Sequence, residues 1–396
     1  MNQAMDIWRI KSLQIEGYRP FRDFQANTGP LEVLVGANGA GKSSLFEFLR
    51  FLRDSAHQDI PPEVIAGSSG QQIFHIPGPD RFQWNLDIDN GKPVSLTYKG
   101  NLFGPIGKTK VGRECVQSSA PLSAKHRLPY VYMDMDAGKG VIQEGGGKGL
   151  VKQDLRLWKP NQLALSVMTN PALPMLYHLR EYVRSWRFYS SFSIANEKIR
   201  KSVPVEERPV LHEDAGNLSS VLHYLMTEER SAFDDVQQFM RLMVPGFIGL
   251  TVKARGGPGQ VIAFWQERGI DQELSLADLS DGILRLLCWT VLCLHPQPPA
   301  LICIDEPDQG VHPRTLPVLA GLFQKAAERT QVFLATHASY FLLQFDLNQI
   351  AVMRKENGQA TWVKPSDSVM LREQLRDFGV EELEAMHRSD ELEVLS

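Results

Sequence analysis

The chain has 396 residues, 43% of them hydrophobic and 22% charged, a balance that excludes a disordered chain, collagen or a simple coiled coil. Its 42 basic and 46 acidic residues give a formal charge of −4, so the chain as a whole presents no basic field to nucleic acid, although a local patch stays open. The four cysteines form no CxxC pair, which argues against a disulfide framework or a structural zinc site.

The same sequence gives no sign of a membrane or secreted protein. Residues 1–9 lack the apolar core of a signal peptide. The longest apolar run, residues 283–294, is shorter than the ~20 residues that a membrane span needs. We therefore expect a cytoplasmic protein with no membrane partner.

The first elements along the chain surround a glycine-rich loop. Residues 8–15 alternate as a strand does, and residues 18–22 form a turn. Residues 31–35 are an apolar strand, and the loop at 36–43 follows it directly. Apolar side chains at helical spacing over residues 45–52 then predict a helix. Strand, glycine loop and helix come in the order of a phosphate-binding site.

The middle of the chain is rich in glycine and proline and carries only short strand-like runs, at residues 82–88 and 94–98. The glycines of residues 138–149 predict a mobile hairpin tip or a disordered loop. Helical patterns follow at residues 171–186, 217–226 and 232–243. Because sustained heptads and internal repeats are lacking, we expect an inserted lid and helical region over residues 100–240 and no long coiled coil.

The second half alternates helices with apolar strands. Helices are predicted over residues 283–294 and 316–328, and strands over residues 300–304 and 331–335. This alternation predicts an α/β fold with parallel strands. The acidic end, residues 371–396, is predicted to be an amphipathic helix with a frayed terminus, or a solvated face.

The glycine loop reads GANGAGKS and matches the pattern GxxxxGK[ST]. Its members are Gly36, Ala37, Asn38, Gly39, Ala40, Gly41, Lys42 and Ser43, with Ser44 next in the helix. Glycines let successive backbone N–H groups turn inward around an anion, and the helix N-terminus points at the same charge. Lys42 is expected to reach β- and γ-phosphates, and Ser43 to place its hydroxyl on Mg²⁺.

Two further strands end in polar residues. Asp305 and Glu306 follow an apolar strand, at the strand end where open α/β sheets bind ligands. Asp305 suits a magnesium ion held through its water shell, and Glu306 suits the orientation and deprotonation of an attacking water. His337 closes the next strand of the chain, which follows after one helix and is therefore expected to neighbour the Asp-Glu strand. From there His337 could contact a γ-phosphate.

The sequence LSDG at residues 279–282 opens an apolar helix. An ordinary helix cap explains it, because Ser280 is a good capping residue. A phosphate-binding role is the other interpretation, because a helix N-terminus with a free serine hydroxyl also binds phosphate. The two interpretations are compatible.

These motifs, in this order, resemble those of the ABC-type ATPase superfamily. The glycine loop corresponds to Walker A, residues 279–283 to the signature, residues 301–306 to Walker B, and a D-loop and His337 as a switch follow. The sequences IEGYRPF at residues 15–21 and EPDQGVHP at residues 306–313 are similar to the RecF/SMC-like branch, among compact bacterial AAA-family ATPases. The resemblance covers about 1–55 and 270–354 well and the middle poorly.

The resemblance implies an ABC-type P-loop ATPase head with a mixed sheet, an inserted lid or helical region, and ATP and Mg²⁺ as cofactors. It divides the chain into an ATPase lobe with Walker A (1–99), the inserted region (100–240), a second lobe with signature, Walker B, D-loop and His switch (241–364), and an acidic tail (365–396).

A head-to-tail homodimer that holds two ATP molecules is also implied by the resemblance. Ser280 and Gly282 of one subunit would face the γ-phosphate held by Lys42 of the other, and Asp308 would lie in the D-loop at the dimer seam. One departure stands out: the signature has Asp281 where the family has glycine. An acid near phosphate is unfavourable, so its side chain is expected to point away, and the hydrolysis rate stays open.

For some residues the sequence leaves more than one role open. The glutamine of the family's Q-loop has three candidates, which are Gln71, Gln72 and Gln83. Arg19 and Arg22 are equally compatible with nucleotide or DNA contacts and with an ordinary surface. The remaining basic residues considered for DNA, against a solvated face, are Lys108, Lys110, Arg113, Arg180, Arg184 and Arg187.

Three functions compete. The first is an ATP-dependent molecular switch in DNA maintenance or phage defence, acting on nucleic acid or through a separately encoded effector such as a nuclease or toxin. The second is an ATP-binding scaffold that hydrolyses very slowly. The third, a transporter's nucleotide-binding subunit, is disfavoured because the interval between Lys42 and Leu279 is far longer than such a subunit resembling this family uses.

Overall fold

The structure of the chain is a computed structural model that describes residues 7–60, 73–104, 109–146, 149–190 and 197–367. The strands are β1 Arg9–Tyr18, β2 Phe21–Asn27, β3 Leu31–Val35, β4 Arg81–Asp89, β5 Leu96–Phe103, β6 Lys110–Ser118, β7 Val131–Asp136, β8 Lys139–Gly146, β9 Gly149–Arg156, β10 Arg187–Ser190, β11 Val203–Pro204, β12 Phe247–Ala254, β13 Gln260–Glu267, β14 Leu274–Ser275, β15 Leu301–Asp305, β16 Gln331–Ala335, β17 Ile350–Glu356 and β18 Gln359–Val363. The helices are α1 Lys42–Ser55, α2 Pro174–Arg184, α3 Leu218–Glu228, α4 Arg230–Met243, α5 Asp281–Leu294, α6 Leu316–Ala327 and α7 Ser339–Leu342.

The alternating strands of the first part of the chain build an antiparallel sheet in the order β2-β1-β4-β5-β6-β7-β8-β9. One face is apolar because every second residue of β4 points inward, and the aromatic rings of Phe82 and Trp84 meet Phe51 of α1 there. Gly100 on β5 lies under Trp84, where a Cβ atom would come within 2.2 Å of the indole ring. This glycine is therefore required by packing.

The continuous apolar runs build the second sheet, in the order β10-β15-β16-β3-β17-β18. Its strands are parallel except for the last pair, β17 and β18, so the sheet is mixed. Buried strands of a parallel sheet are apolar on both faces. Accordingly, Leu31, Val33 and Val35 pack into one core with α5 and α6, while Leu34 packs into the other with α1 and the antiparallel sheet. The predicted α/β class with a mixed sheet is confirmed.

A small third sheet lies beside the helices of the second half. It has the order β11-β13-β12, and β14 also pairs with β13. Helices α3 and α4 pack against this sheet and share a core with α5. Its last strand, β14, is followed along the chain by a short 3₁₀ turn and then by α5.

Most predicted elements are confirmed, but one is wrong. The sequence predicts a mobile hairpin tip or a disordered loop over residues 138–149, whereas residues 139–146 form β8, which pairs with both β7 and β9. Ladder hydrogen bonds come from the backbone, so glycines that hide the strand pattern still allow pairing. The predicted acidic helix at residues 371–396 lies outside the described residues.

The expected boundary between residues 99 and 100 falls inside β5, a strand paired on both sides with β4 and β6. Residues 187–190, which the sequence assigned to the inserted region, form β10 in the mixed sheet. That residues 100–240 act as a separate unit stays a prediction.

The buried carboxyl of Glu114 on β6 predicts a pH-dependent stability. It accepts hydrogen bonds from the backbone N–H groups of Ala164 and Leu165 and from the Tyr98 hydroxyl. Burial nevertheless raises its pKa from 4.5 to about 7. The folded state therefore holds a proton that the unfolded state has released between pH 4.5 and 7, and the free energy of unfolding falls as pH rises through this window.

We expect Glu114→Gln to flatten the decrease of unfolding free energy between pH 5 and 7, because the group that loses its proton is gone. A pKa shift of this size is worth about 3 kcal/mol between the two protonation states. Urea unfolding at several pH values measures the slope, with the exposed Glu328→Gln as control. An unchanged slope in Glu114→Gln would contradict the assignment.

Candidate functional site

The predicted motifs meet at the carboxyl edge of the mixed sheet. Strand β16 lies between β15 and β3, and the register sets Asp305 opposite Ala335, which in turn lies opposite Leu34. The glycine loop, the Asp-Glu pair and His337 therefore leave three neighbouring strands at one edge. The expectation that His337 follows the strand next to the Asp-Glu strand is confirmed.

The glycine loop has the backbone that its sequence predicts. Gly36, Gly39 and Gly41 have φ values of 143°, 84° and 111°, a region that side chains disfavour. At Gly36 a Cβ atom would lie 2.0 Å from the carbonyl oxygen of Met353 on β17, whereas at Gly39 it would meet nothing within 4 Å. Gly36 thus serves close packing, and Gly39 the turn itself.

Alanine at these two glycines should separate the two roles. We expect Gly36→Ala to lower the free energy of unfolding by roughly 3 kcal/mol, because β17 must move. Gly39→Ala should cost only about 1–2 kcal/mol, the cost of an unfavourable φ in open space. Thermal unfolding measures both, and a Gly36→Ala protein as stable as Gly39→Ala would contradict the packing role.

Lys42, the first residue of α1, is buried and reaches back over the loop. Its Nζ donates to the carbonyl oxygens of Gly36, at 2.5 Å, and Ala37, at 3.2 Å. The ammonium therefore lies at the mouth of the loop, against the carbonyl groups of its first two residues. Its donors suit a triphosphate, which would take them over from these carbonyls.

Ser43 and Asp305 are brought together by a hydrogen bond between their side chains. Burial and the neighbouring Glu306 raise the pKa of Asp305, while Lys42, His337 and the Ser43 hydroxyl act in the opposite direction. A hydroxyl and a carboxylate oxygen are hard ligands of the kind that Mg²⁺ prefers. The donor set fits a magnesium ion, whose positive charge would hold the carboxyl of Asp305 ionised.

Glu306 has the unusual backbone of a residue held in place by its surroundings. Its φ is 52°, which is strained for any residue but glycine. Its N–H donates to the Ala335 carbonyl at 2.8 Å, and its own carbonyl accepts from Gln309 at 3.1 Å. These two bonds turn the chain sharply after β15 and leave the carboxylate half-buried at the sheet edge.

Asp308, predicted in the D-loop, is tied to the end of β16. The Thr336 hydroxyl donates to its carboxylate at 2.6 Å and accepts from the N–H of Ala338 at 3.0 Å. His337 lies between these two residues and is exposed. The D-loop and the histidine are thus connected within one chain, a contact that the sequence alone did not reveal.

The signature residues lie at the start of α5, on the surface. Ser280 caps the helix, accepting from the N–H of Ile283 at 3.4 Å, and it is exposed. Asp281 pairs with Arg200 at 2.7 Å between Oδ1 and Nη2. The side chain of Asp281 therefore already has a cationic partner. Arg200 was missed in the sequence because some eighty positions separate the two residues.

The signature helix also contacts the D-loop. Arg285 of α5 donates to the carbonyl of Gln309 at 2.9 Å, and Trp289 donates to that of Pro307 at 3.1 Å. A Cβ atom at Gly282 would lie 2.8 Å from the Gly310 carbonyl. Gly282 therefore allows the close approach of these two loops.

Of the three candidates for the Q-loop glutamine, only Gln83 lies among the described residues. Gln71 and Gln72 lie outside the described residues, and Gln83 contacts Glu16 on the exposed face of the antiparallel sheet. Ser190, the last residue of β10, lies opposite Asp305 in the register. The end of β10 thus brings a hydroxyl to the same sheet edge.

The basic residues considered for DNA mostly have acidic or carbonyl partners. Arg19 pairs with Glu47, Arg113 makes two bonds of 3.0 Å to Asp134, and Arg180 and Arg184 both contact Glu181. Arg187 donates to backbone carbonyls of its own segment. Lys108 lies outside the described residues. These contacts favour the solvated-face interpretation over a free basic patch.

Two family models of known proteins match segments of this chain. Residues 168–343 match a family model described as "AAA domain, putative AbiEii toxin, Type IV TA system", and residues 9–102 match one described as "AAA ATPase domain". No curated protein matches the chain.

The fold is similar to those of two solved SMC heads. One, the SMC head bound to the C-winged helix domain of ScpA, has 12% identity and a TM-score of 0.54, with 89% of this chain and 96% of that chain covered. The other, from Pyrococcus furiosus with an extended coiled coil and bound to the C-terminal domain of ScpA, has 11% identity, a TM-score of 0.53, and coverage of 93% and 100%. At these identities the likeness concerns the fold.

The motif order resembles that of ABC-type P-loop ATPases, and the fold is similar to that of the SMC heads. The family models and the SMC-like fold support the RecF/SMC-like branch, and with it ATP binding and hydrolysis. Within the described residues, no helix is both long and apolar enough to cross a membrane.

Proposed function

We propose that this chain is an ATP-driven molecular switch that closes into a homodimer around two ATP molecules and opens after hydrolysis. The observation that carries the proposal is the exposed Ser280 at the N-terminus of α5, a helix whose remaining turns are buried in the core. A helix N-terminus with a serine hydroxyl is a phosphate-binding group. Presented outward, it is suited to a phosphate held by a second copy of the chain.

The residues at the sheet edge have distinct tasks in this proposal. Lys42 and the N–H groups of the glycine loop hold the phosphates, and Ser43 and Asp305 hold Mg²⁺, which supplies charge neutralisation when bound. Glu306 orients a water and accepts its proton. His337, exposed beside Thr336, contacts the terminal phosphate. Through the neighbouring Thr336, binding of that phosphate is coupled to the D-loop.

A slow scaffold remains a second candidate because of Asp281. Its carboxylate adds negative charge near the serine that would face phosphate, and the Arg200 pair offsets this charge. Both candidates require ATP-dependent dimerisation, and they differ in turnover rate. Steady-state hydrolysis measured on the purified chain decides between them.

The proposal predicts that hydrolysis depends on protein concentration. If two copies build each site, the rate per chain rises as the chain is concentrated through its dimerisation range and then levels off. Light scattering with ATP and Mg²⁺ should show the dimer over the same range, and without nucleotide a monomer. A rate per chain that stays constant down to concentrations where only monomer scatters would contradict the proposal.

We further propose that the switch acts with a partner, as an effector protein encoded separately or as DNA, in DNA maintenance or phage defence. The SMC heads of similar fold are bound to domains of ScpA, which supports a partner protein for this fold. The paired state of Arg113, Arg180 and Arg184 favours a protein partner over duplex DNA. A gel shift at low and moderate salt, with and without ATP, tests the DNA alternative.

A further inference from the structure

The loop that precedes the signature serine is built as a compact turn. Residues 276–278 form a single 3₁₀ turn, whose N-terminal end is closed by a capping box between Ser275 and Asp278. The Ser275 N–H and hydroxyl donate to the Asp278 carboxylate at 2.9 and 2.6 Å. This turn leaves several carbonyl groups pointing to one side.

The guanidinium of Arg200 forms hydrogen bonds with these carbonyl groups. Its Nη1 donates to the carbonyl oxygens of Leu276 (3.3 Å), Ala277 (2.9 Å) and Leu279 (2.9 Å), and its Nη2 donates to Oδ1 of Asp281 at 2.7 Å. One guanidinium therefore contacts the loop on both sides of Ser280 without contacting Ser280 itself. The rigid fork of arginine suits this role, which a lysine ammonium cannot reproduce.

The segment that carries Arg200 is anchored in the hydrophobic core around α5 and α6. The neighbouring Ile199 is buried among apolar side chains of that core, and Lys198 pairs with Asp214 at 3.3 Å. Shortly after it, Val203–Pro204 pairs with β13. The guanidinium thus extends from a fixed segment, so its bonds set the position of the signature loop.

We infer that Arg200 is a positioning residue for the phosphate-facing end of α5, and this inference rests on the proposed ATP-bridged homodimer. It fixes the loop so that Ser280 and the first N–H groups of α5 point outward together. It also pairs with Asp281, so that the polyanionic triphosphate on the other subunit meets a neutral pair instead of a carboxylate.

An arginine that only stabilises the fold would make the same hydrogen bonds, so a matched control is needed. Arg329 provides it at the other end of the same helix, donating to the carbonyls of His295 at 3.0 Å and Cys293 at 2.7 Å. Arg200 is partly buried and Arg329 is more exposed, and both bind backbone carbonyls of α5 or its flanks. Only Arg200 is next to the signature serine.

The experiment measures ATP-induced dimerisation in a Glu306→Gln background, with ATP binding and thermal unfolding followed in parallel. We expect Arg200→Ala to weaken dimerisation about tenfold or more, since charge-assisted hydrogen bonds are lost, while ATP affinity of the monomer stays within about threefold. Arg329→Ala should leave dimerisation unchanged at matched stability. Adding Asp281→Asn to Arg200→Ala should recover dimerisation by about threefold, because the uncompensated charge is gone.

Each outcome of this experiment supports or overturns either the inference or the proposed function. Equal dimerisation in Arg200→Ala and the parent, equal losses in Arg200→Ala and Arg329→Ala, or no recovery with Asp281→Asn would overturn the inference while the parent still dimerises. If Arg200→Ala does not fold, Arg200→Lys replaces it, with an expected loss of about threefold, and undiminished dimerisation in that variant overturns the inference. A parent that does not dimerise with ATP overturns the proposed function instead.

Discussion

Replacing Lys42 by alanine is expected to lower the affinity for ATP by about 100-fold or more. Its ammonium is buried at the mouth of the glycine loop, where it donates to the carbonyls of Gly36 and Ala37. A charge-assisted hydrogen bond to phosphate, lost from a buried position, accounts for a change of this order. Calorimetric titration with a non-hydrolysable ATP analogue measures it.

The control for this variant is Lys325→Ala. Lys325 lies on α6, partly exposed, and pairs with Asp235 at 3.6 Å. Its removal leaves the glycine loop intact, so ATP affinity should not change. Undiminished affinity in Lys42→Ala, with a folded protein shown by thermal unfolding, would contradict the assignment of the loop as the phosphate cradle.

Glu306→Gln is expected to reduce turnover by about 100-fold or more while ATP binding is retained. A general base contributes a factor of this size, and glutamine keeps the shape of the side chain without its basicity. The strained φ of 52° is the same for both residues, so the backbone should not respond. With hydrolysis blocked, light scattering should show dimers accumulating in the presence of ATP.

The matched control is Glu328→Gln, which changes an exposed carboxylate at the end of α6 in the same way. It should hydrolyse ATP at the parental rate and show no accumulated dimer. Hydrolysis that is unchanged in Glu306→Gln would remove this residue from the role of base and point to another group at the sheet edge, such as His337.

The elements and motifs that depend on short stretches of sequence could be predicted. The glycine loop lies between β3 and α1 as expected, because glycine spacing and apolar periodicity act over only a few residues. The apolar run before Asp305 is a buried strand for the same reason. The sequence also predicts that the strand before His337 neighbours the Asp-Glu strand, because one helix separates them, and β16 indeed pairs with β15.

Contacts between distant parts of the chain could not be predicted. Arg200 and Asp281, or Asp308 and Thr336, meet only because the third sheet and the D-loop fold back on α5 and β16. The position of Ser190 depends on strand register, which the sequence of a four-residue strand does not fix. At β8 the glycines conceal a strand whose pairing comes from its backbone.

Cross-linking between two copies tests the central claim most directly. Asn38 and Ser280 are exposed, and all four native cysteines are buried, so chains with Asn38→Cys and chains with Ser280→Cys can be mixed and treated with a short bismaleimide. In a Glu306→Gln background we predict covalent dimers containing one chain of each kind when ATP and Mg²⁺ are present, and few without nucleotide. Mixed dimers that form equally well without ATP, or none at all while light scattering shows a dimer, would contradict a nucleotide held between two copies.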